Sequence, residues 1–236
     1  TIVMRCFFEK SRSAVAWKGL LHGGQHRTSL SEGMKQTRFL LQEVLERGLG
    51  TAAELLSPWA FPYFADLLSW GCIGARASQS QAHRELASGA AFPVGFKNCL
   101  SGDVEGALRS VQAAASRQTH VTMNDEGRLI AQHTQGNPYA HLVLRGGRSG
   151  PNVSASVLDE VRAFAQVHKI APRVLVDCSH GNSGGNPLRQ AEICKKGLEL
   201  RPHVAGILIE SFLKEGRQPD LGRASSPDVS ITDSCL

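Results

Sequence analysis

Short apolar runs that stop at a single charge recur along this chain, and stretches with helical periodicity separate most of them. GCIGAR stops at Arg76 and FPVGFK at Lys97. Between them, Gln79–Ser88 has a helical pattern, with Gly89 as its natural stop. The same alternation predicts strands over Thr1–Phe8, Thr51–Leu56, Gly71–Arg76, Phe92–Lys97, His141–Arg145, Arg173–His180 and Val204–Ser211. Their charged ends are Arg5, Glu54, Arg76, Lys97, Arg145, His180 and Glu210. Helices are predicted from Ser31, as cap, to about Arg47, and over Pro62–Trp70, Gly102–Ser116, Ser154–His168 and Leu188–Leu200. The rhythm breaks once. Thr119–Met123 and Arg128–Thr134 are β-like with no helix between them, and Asn124-Asp125-Glu126-Gly127 reads as a hairpin turn.

Seven strands alternating with helices favour a (β/α)8 TIM barrel lacking its first strand, with an inserted β-hairpin at about 118–135. The expected organisation is one partial barrel domain over 1–236. No glycine-rich dinucleotide fingerprint follows a strand, which argues against a Rossmann fold. The first residue is Thr1, and the chain enters directly as a strand. It reads as cut from a longer protein.

Composition narrows the function classes. No run of about eighteen apolar residues exists, so no membrane-spanning helix is expected. The net charge of +5 comes without a basic run interleaved with aromatics, so nucleic acid is not an expected partner. The six cysteines have no CxxC spacing and fit free thiols in a reducing cytoplasm. Many of the cations stand singly at strand ends, which suits small phosphorylated substrates.

Two groups of residues carry candidate chemistry. Arg5, Lys10, Arg12, Arg76, Lys97 and Arg145 would share one rim of a barrel, where arginine forks suit phosphate and carboxylate. His180, Glu210 and Asp233 offer one imidazole and two carboxylates, a set suited to a divalent transition metal.

The motifs HRELASG, PVGFKN, GCIGAR, AWKGL, LRGG, DCSHGNS, ILIES and SITD, in that family's order along the chain, resemble the class I 3-deoxy-D-arabino-heptulosonate-7-phosphate (DAHP) synthases. The resemblance implies condensation of phosphoenolpyruvate with D-erythrose 4-phosphate, at the head of the shikimate route to aromatic amino acids. It implies that Arg5, Ala75, Arg76, Lys97 and Arg145 hold phosphoenolpyruvate. Arg12 and Ser13 match the pair that binds the phosphate of erythrose 4-phosphate, and Lys10 lies near both substrates. His180, Glu210 and Asp233 match three metal ligands, for manganese, iron, cobalt or zinc. Lys10, Lys97 and His180 are the expected catalytic residues. A cytoplasmic enzyme, homo-oligomeric at full length, is expected. The hairpin resembles one used in feedback inhibition.

The chain departs from the family pattern in several places. The KPRT loop is Lys10-Ser11-Arg12-Ser13, GTDG is Cys99-Leu100-Ser101-Gly102, and TTES is Ala77-Ser78-Gln79-Ser80. The aromatic of DFSH or DYSH is Cys178. The fourth metal ligand of the family, a Cys at the end of the first barrel strand, has no counterpart, so weak metal binding and low activity are expected of this chain. Strand alternation puts Cys178 on the face of His180, which makes it a remote stand-in for that thiolate. The alternatives are a phosphate-binding remnant without activity and the related 3-deoxy-octulosonate 8-phosphate synthase.

Overall fold

The computed structural model describes residues 1–12, 17–22, 29–124, 126–219 and 226–236. They form two compact units, Thr1–Phe96 with Ser110–Ala140, and Lys97–Arg109 with His141–Leu236.

The first unit is built on four strands, β1 (Val3–Arg5), β2 (Gly50–Glu54), β3 (Trp70–Ile73) and β4 (Val94–Lys97), the last residue of which, Lys97, belongs to the second unit. Each pairs with the next in parallel, with Val3 opposite Gly50, Ala52 opposite Trp70 and Gly71 opposite Val94. Ala52, Ala53, Cys72, Ile73, Val94 and Phe96 are buried, as expected of parallel strands covered on both faces. Helix α1 (Leu30–Glu46) precedes β2, and α2 (Gln81–Gly89) lies between β3 and β4. The cap of α1 is Ser29, not Ser31: its hydroxyl accepts from the Glu32 N–H at 3.2 Å. Gly89 is the last residue of α2 rather than its stop. The helix expected over Pro62–Trp70 is instead two single 3₁₀ turns, Phe61–Tyr63 and Ala65–Leu67. Three aromatics in four residues stack there rather than forming one helical stripe; Phe64 lies 4.6 Å from Phe8, centroid to centroid.

Helix α3 (Glu105–Ala115) leads into the hairpin of β5 (Thr119–Met123) and β6 (Leu129–His133). These two strands pair antiparallel, as the sequence predicts. The Asn124 side chain accepts from the Arg128 N–H at 2.9 Å, and Gly127 takes a φ of 76°, a conformation glycine adopts freely. Asn137 ties the base of the hairpin down, donating to the carbonyls of Ala87 and Phe92.

The second unit carries β7 (His141–Leu144), β8 (Val174–Asp177) and β9 (Val204–Leu208), again parallel. Helices α4 (Ala155–His168), α5 (His180–Ser183) and α6 (Gln190–Glu199) complete it. Ser154 caps α4, its hydroxyl accepting from the Val157 N–H at 3.3 Å. In both units several strands stop one to three residues before the charge that marks them, so Arg76, Arg145 and Glu210 stand in the following loops and His180 opens α5. No helix among the described residues is long and apolar enough to cross a membrane.

Gly33 allows α1 to pack closely. A Cβ there would meet the Leu21 carbonyl oxygen at 2.3 Å. Gly33→Ala gains about 1 kcal/mol of helix propensity. The overlap with rigid backbone costs more, about 1–3 kcal/mol. We expect a net loss of up to about 2 kcal/mol in urea unfolding. Equal or greater stability would show that the contact yields easily.

Candidate functional site

In the second unit, β8 ends in Asp177, a carboxylate 1% exposed at the close of an apolar run. Lys97 reaches it with Nζ 2.7 Å from Oδ2. His180 approaches the same carboxylate, its Nδ1 2.9 Å from Oδ2 and 3.1 Å from Oδ1. The Ser179 N–H donates to Oδ1 at 3.0 Å. Burial pushes the Asp177 carboxyl up. The charge of Lys97, with the charge and hydrogen bond of His180, outweighs that and holds it well below the usual carboxylate range.

A carboxylate can only accept, so His180 Nδ1 carries the proton in this pairing. The other nitrogen, Nε2, lies 3.7 Å from Asp233 Oδ1. His180, Glu210 and Asp233 each offer one ligand atom, all within 4.8 Å of one another. Ligands bound at about 2.1 Å to one tetrahedral ion stand about 3.4 Å apart, so small side-chain movements would close the set around it. The donors fit a divalent transition metal in kind as well, one imidazole and two carboxylates.

Local structure fixes two of the three donors. His180 takes a φ of 55°, a left-handed conformation uncommon for a side chain of its size, and it opens α5. Glu210 is anchored through its backbone: the buried Gln190 amide accepts from its N–H at 2.9 Å and donates to its carbonyl at 3.0 Å. Three more amides tie the loops together. Asn98 accepts from the Arg145 N–H at 2.8 Å and from the Asn152 side chain at 3.1 Å. Asn182 donates to the carbonyls of Leu144 and Asp177. The loops meet backbone to backbone: a Cβ on Gly147 would lie 2.4 Å from Gly102, and one on Gly181 would lie 2.6 Å from Gly147 N. Arg145 is 9% exposed, and its Nη1 donates to its neighbour's carbonyl, Gly146, at 3.2 Å.

Cys178 does not join His180. Its thiol is buried against Cys194 of α6, and burial first, then Cys194 and the Asp177 charge, push it up to about 12. A thiol so hard to ionise is a poor metal ligand. The alternation rule fails here because the left-handed turn at His180 swings its ring back toward Asp177.

In the first unit, Arg5 and Lys10 share Phe7. The guanidinium lies 4.6 Å and the ammonium 4.3 Å from the ring centroid. Arg12 Nε donates to the Trp17 carbonyl at 3.0 Å. Ala75 is half-buried, and Arg76 is exposed in the turn after β3. Ser13 lies outside the described residues. Glu9, beside Lys10, is 4% exposed and accepts from the Ser57 N–H at 3.1 Å. The hairpin borders a cavity of about 360 Å³ lined by Pro58, Trp59, Phe61, Leu86, His120 and Val121, where the buried His120 Nδ1 has no hydrogen-bond partner.

Reasoning from the sequence missed Asp177, Asn98, Asn182 and Gln190. Only Asp177 left a signal, an acid ending an otherwise apolar strand three residues before a candidate metal ligand.

Parallel strands with basic residues and candidate metal ligands just beyond their C-terminal ends define a βα-repeat protein with a candidate strand-end site. The chain belongs to the DAHP synthetase I family, whose family model matches residues 1–236. It is 39% identical to the tyrosine-inhibited phospho-2-dehydro-3-deoxyheptonate aldolase of Schizosaccharomyces pombe, covering 100% of this chain and 66% of that protein. It is 38% identical to the Tyr-sensitive enzyme of that name from Salmonella typhimurium, covering 100% of this chain and 68% of the relative. The solved phospho-2-dehydro-3-deoxyheptonate aldolase of Francisella tularensis superposes with a TM-score of 0.92 at 36% identity, over 100% of this chain and 70% of that one. The chain thus spans about two thirds of the length of these relatives. Its fold is that of a (β/α)8 barrel lacking a strand, with seven parallel strands among the described residues, as expected from the sequence.

Glu9 makes stability depend on pH. Burial pushes its carboxyl up to about 7, with Glu54 adding to that and the Ser57 and Leu56 N–H groups opposing it. The folded chain therefore binds this proton more tightly than the unfolded one. The resulting stabilisation is full below about pH 4.5 and is lost as pH rises through about 7. Glu9→Gln should flatten that part of the stability–pH curve by up to about 3 kcal/mol. An unchanged slope in denaturation between pH 5 and 8 would contradict the assignment.

Proposed function

We propose that the protein acts as a DAHP synthase, joining phosphoenolpyruvate to D-erythrose 4-phosphate with release of inorganic phosphate. The observation that supports this most is the meeting of His180, Glu210 and Asp233 in a chain whose family match runs from end to end. The two units are read as one catalytic domain with an inserted hairpin.

Arg5, Arg76, Lys97 and Arg145, with Ala75 beside them, hold the phosphate and carboxylate of phosphoenolpyruvate through charge-assisted hydrogen bonds. Arg12 and Ser13 hold the phosphate of the aldose, and Lys10 serves both substrates. These cations offset the repulsion between two anionic substrates and fix the approach of the carbon that forms the new bond. His180, Glu210 and Asp233 would hold manganese, iron, cobalt or zinc. When bound, the ion supplies Lewis-acid polarisation of the aldehyde oxygen. Lys97, ion-paired with Asp177, presents a positioned ammonium and is the candidate proton carrier. The hairpin, with the cavity beside it, is assigned to feedback control by an aromatic effector. The working enzyme is assigned to the cytoplasm and to a homo-oligomer.

The test is phosphoenolpyruvate consumption by the protein, with and without erythrose 4-phosphate and Mn²⁺. Consumption should require both. Arg145→Ala should weaken phosphoenolpyruvate binding by about 2–4 kcal/mol in calorimetry, the scale expected when a buried site gives up charge-assisted hydrogen bonds to its ligand. Consumption without the aldose, or full affinity in the variant, would overturn the reading.

A further inference from the structure

Asp177 has the geometry to set the metal site from behind. The carboxylate is buried, and three donors converge on it: Lys97 Nζ, the Ser179 N–H and His180 Nδ1. The last is the consequential one. An imidazole binds a metal through one nitrogen only, and the hydrogen bond made by the other decides which. With Nδ1 committed to Asp177, the nitrogen facing Asp233 is Nε2. His180 also holds a left-handed backbone conformation, which needs outside support to persist, and the contact with Asp177 supplies it. Lys97 matters in turn. Its ammonium donates to the same carboxylate at 2.7 Å, which holds Asp177 in place against the imidazole.

We propose that Asp177 is the positioning residue of the metal site, locking His180 into the tautomer that offers Nε2 and joining Lys97 and the metal pocket through one shared carboxylate. The proposal rests on the metal-centre reading of the proposed function. It adds that the affinity for the ion is set by a residue that does not touch it.

Two measurements test it. The first is Mn²⁺ and Co²⁺ affinity by competition with a chelator, together with the Co²⁺ absorption spectrum, for the native protein, Asp177→Asn and Asp177→Glu. Asp177→Asn should weaken binding by about 10–100-fold and alter the Co²⁺ bands. Asp177→Glu should recover part of the affinity. Native affinity and an unaltered spectrum in Asp177→Asn would overturn the proposal. The second needs no variant and stands even if Asp177→Asn fails to fold. Long-range ¹H–¹⁵N spectra of the metal-free native protein, recorded at a pH where the His180 ring is neutral, should show its one proton on Nδ1 and Nε2 bare. A proton on Nε2 with Nδ1 bare would overturn the proposal. Failure of the native protein to bind either ion would remove the metal-centre reading instead, and the tautomer would still decide the role of Asp177.

Discussion

A carboxylate taken out of water costs several kcal/mol unless charge and hydrogen bonds replace its hydration. Asp177 is in that position, and the arrangement of the second unit follows from how the cost is met. Lys97 must come to it from the end of β4, and His180 must turn back over the end of β8. Removing either partner would leave a poorly compensated charge in the interior, so the two residues are fixed by folding itself. A candidate substrate-binding cation and a candidate metal ligand are thereby placed before any ligand arrives. Such preorganisation is what lets a site act on developing charge without moving first.

Around that pair the loops are rigid for a different reason. Asn98, Asn152 and Asn182 fill the space between strand ends with amides that bond to loop backbone and, between Asn98 and Asn152, to one another. Glycines let those loops pass at distances no side chain would tolerate. Gln190 does the same for Glu210. The first unit handles its cations more loosely. Arg5 and Lys10 rest on the face of Phe7, and Arg76 is exposed in a turn. The fixed groups suit an ion, whose bonds tolerate little error. The looser ones suit phosphates, which accept cations over a wider range of geometry.

Most strands and the hairpin were legible because the parallel strands are near-continuous apolar runs and the hairpin has its own turn residues. Strand ends were overextended by one to three residues, since a charge after an apolar run marks where the loop begins. The segment around Pro62 misled because local periodicity suggests a helix, whereas Phe64 packs on Phe8 and breaks the stretch into two turns. His180, Glu210 and Asp233 could be chosen from residue type and position. Asp177 was passed over despite its place as the acid ending an apolar strand, because strand alternation, carried through Cys178, put the wrong neighbour beside His180. A single left-handed residue reverses that rule, and nothing in the local sequence announces it. The amide network was illegible for a similar reason: Asn98, Asn152 and Asn182 read as ordinary loop residues until the loops meet.

The central proposal is that three residues beyond the ends of β8 and β9, His180, Glu210 and Asp233, would hold one metal ion, with His180 bound through Nε2. Crystals of the protein grown with Mn²⁺, and an anomalous difference map from them, test it most directly. The account predicts one strong peak within about 2.0–2.3 Å of His180 Nε2, a Glu210 oxygen and an Asp233 oxygen. No peak at this cluster, or a peak bonded to His180 through Nδ1, would contradict it.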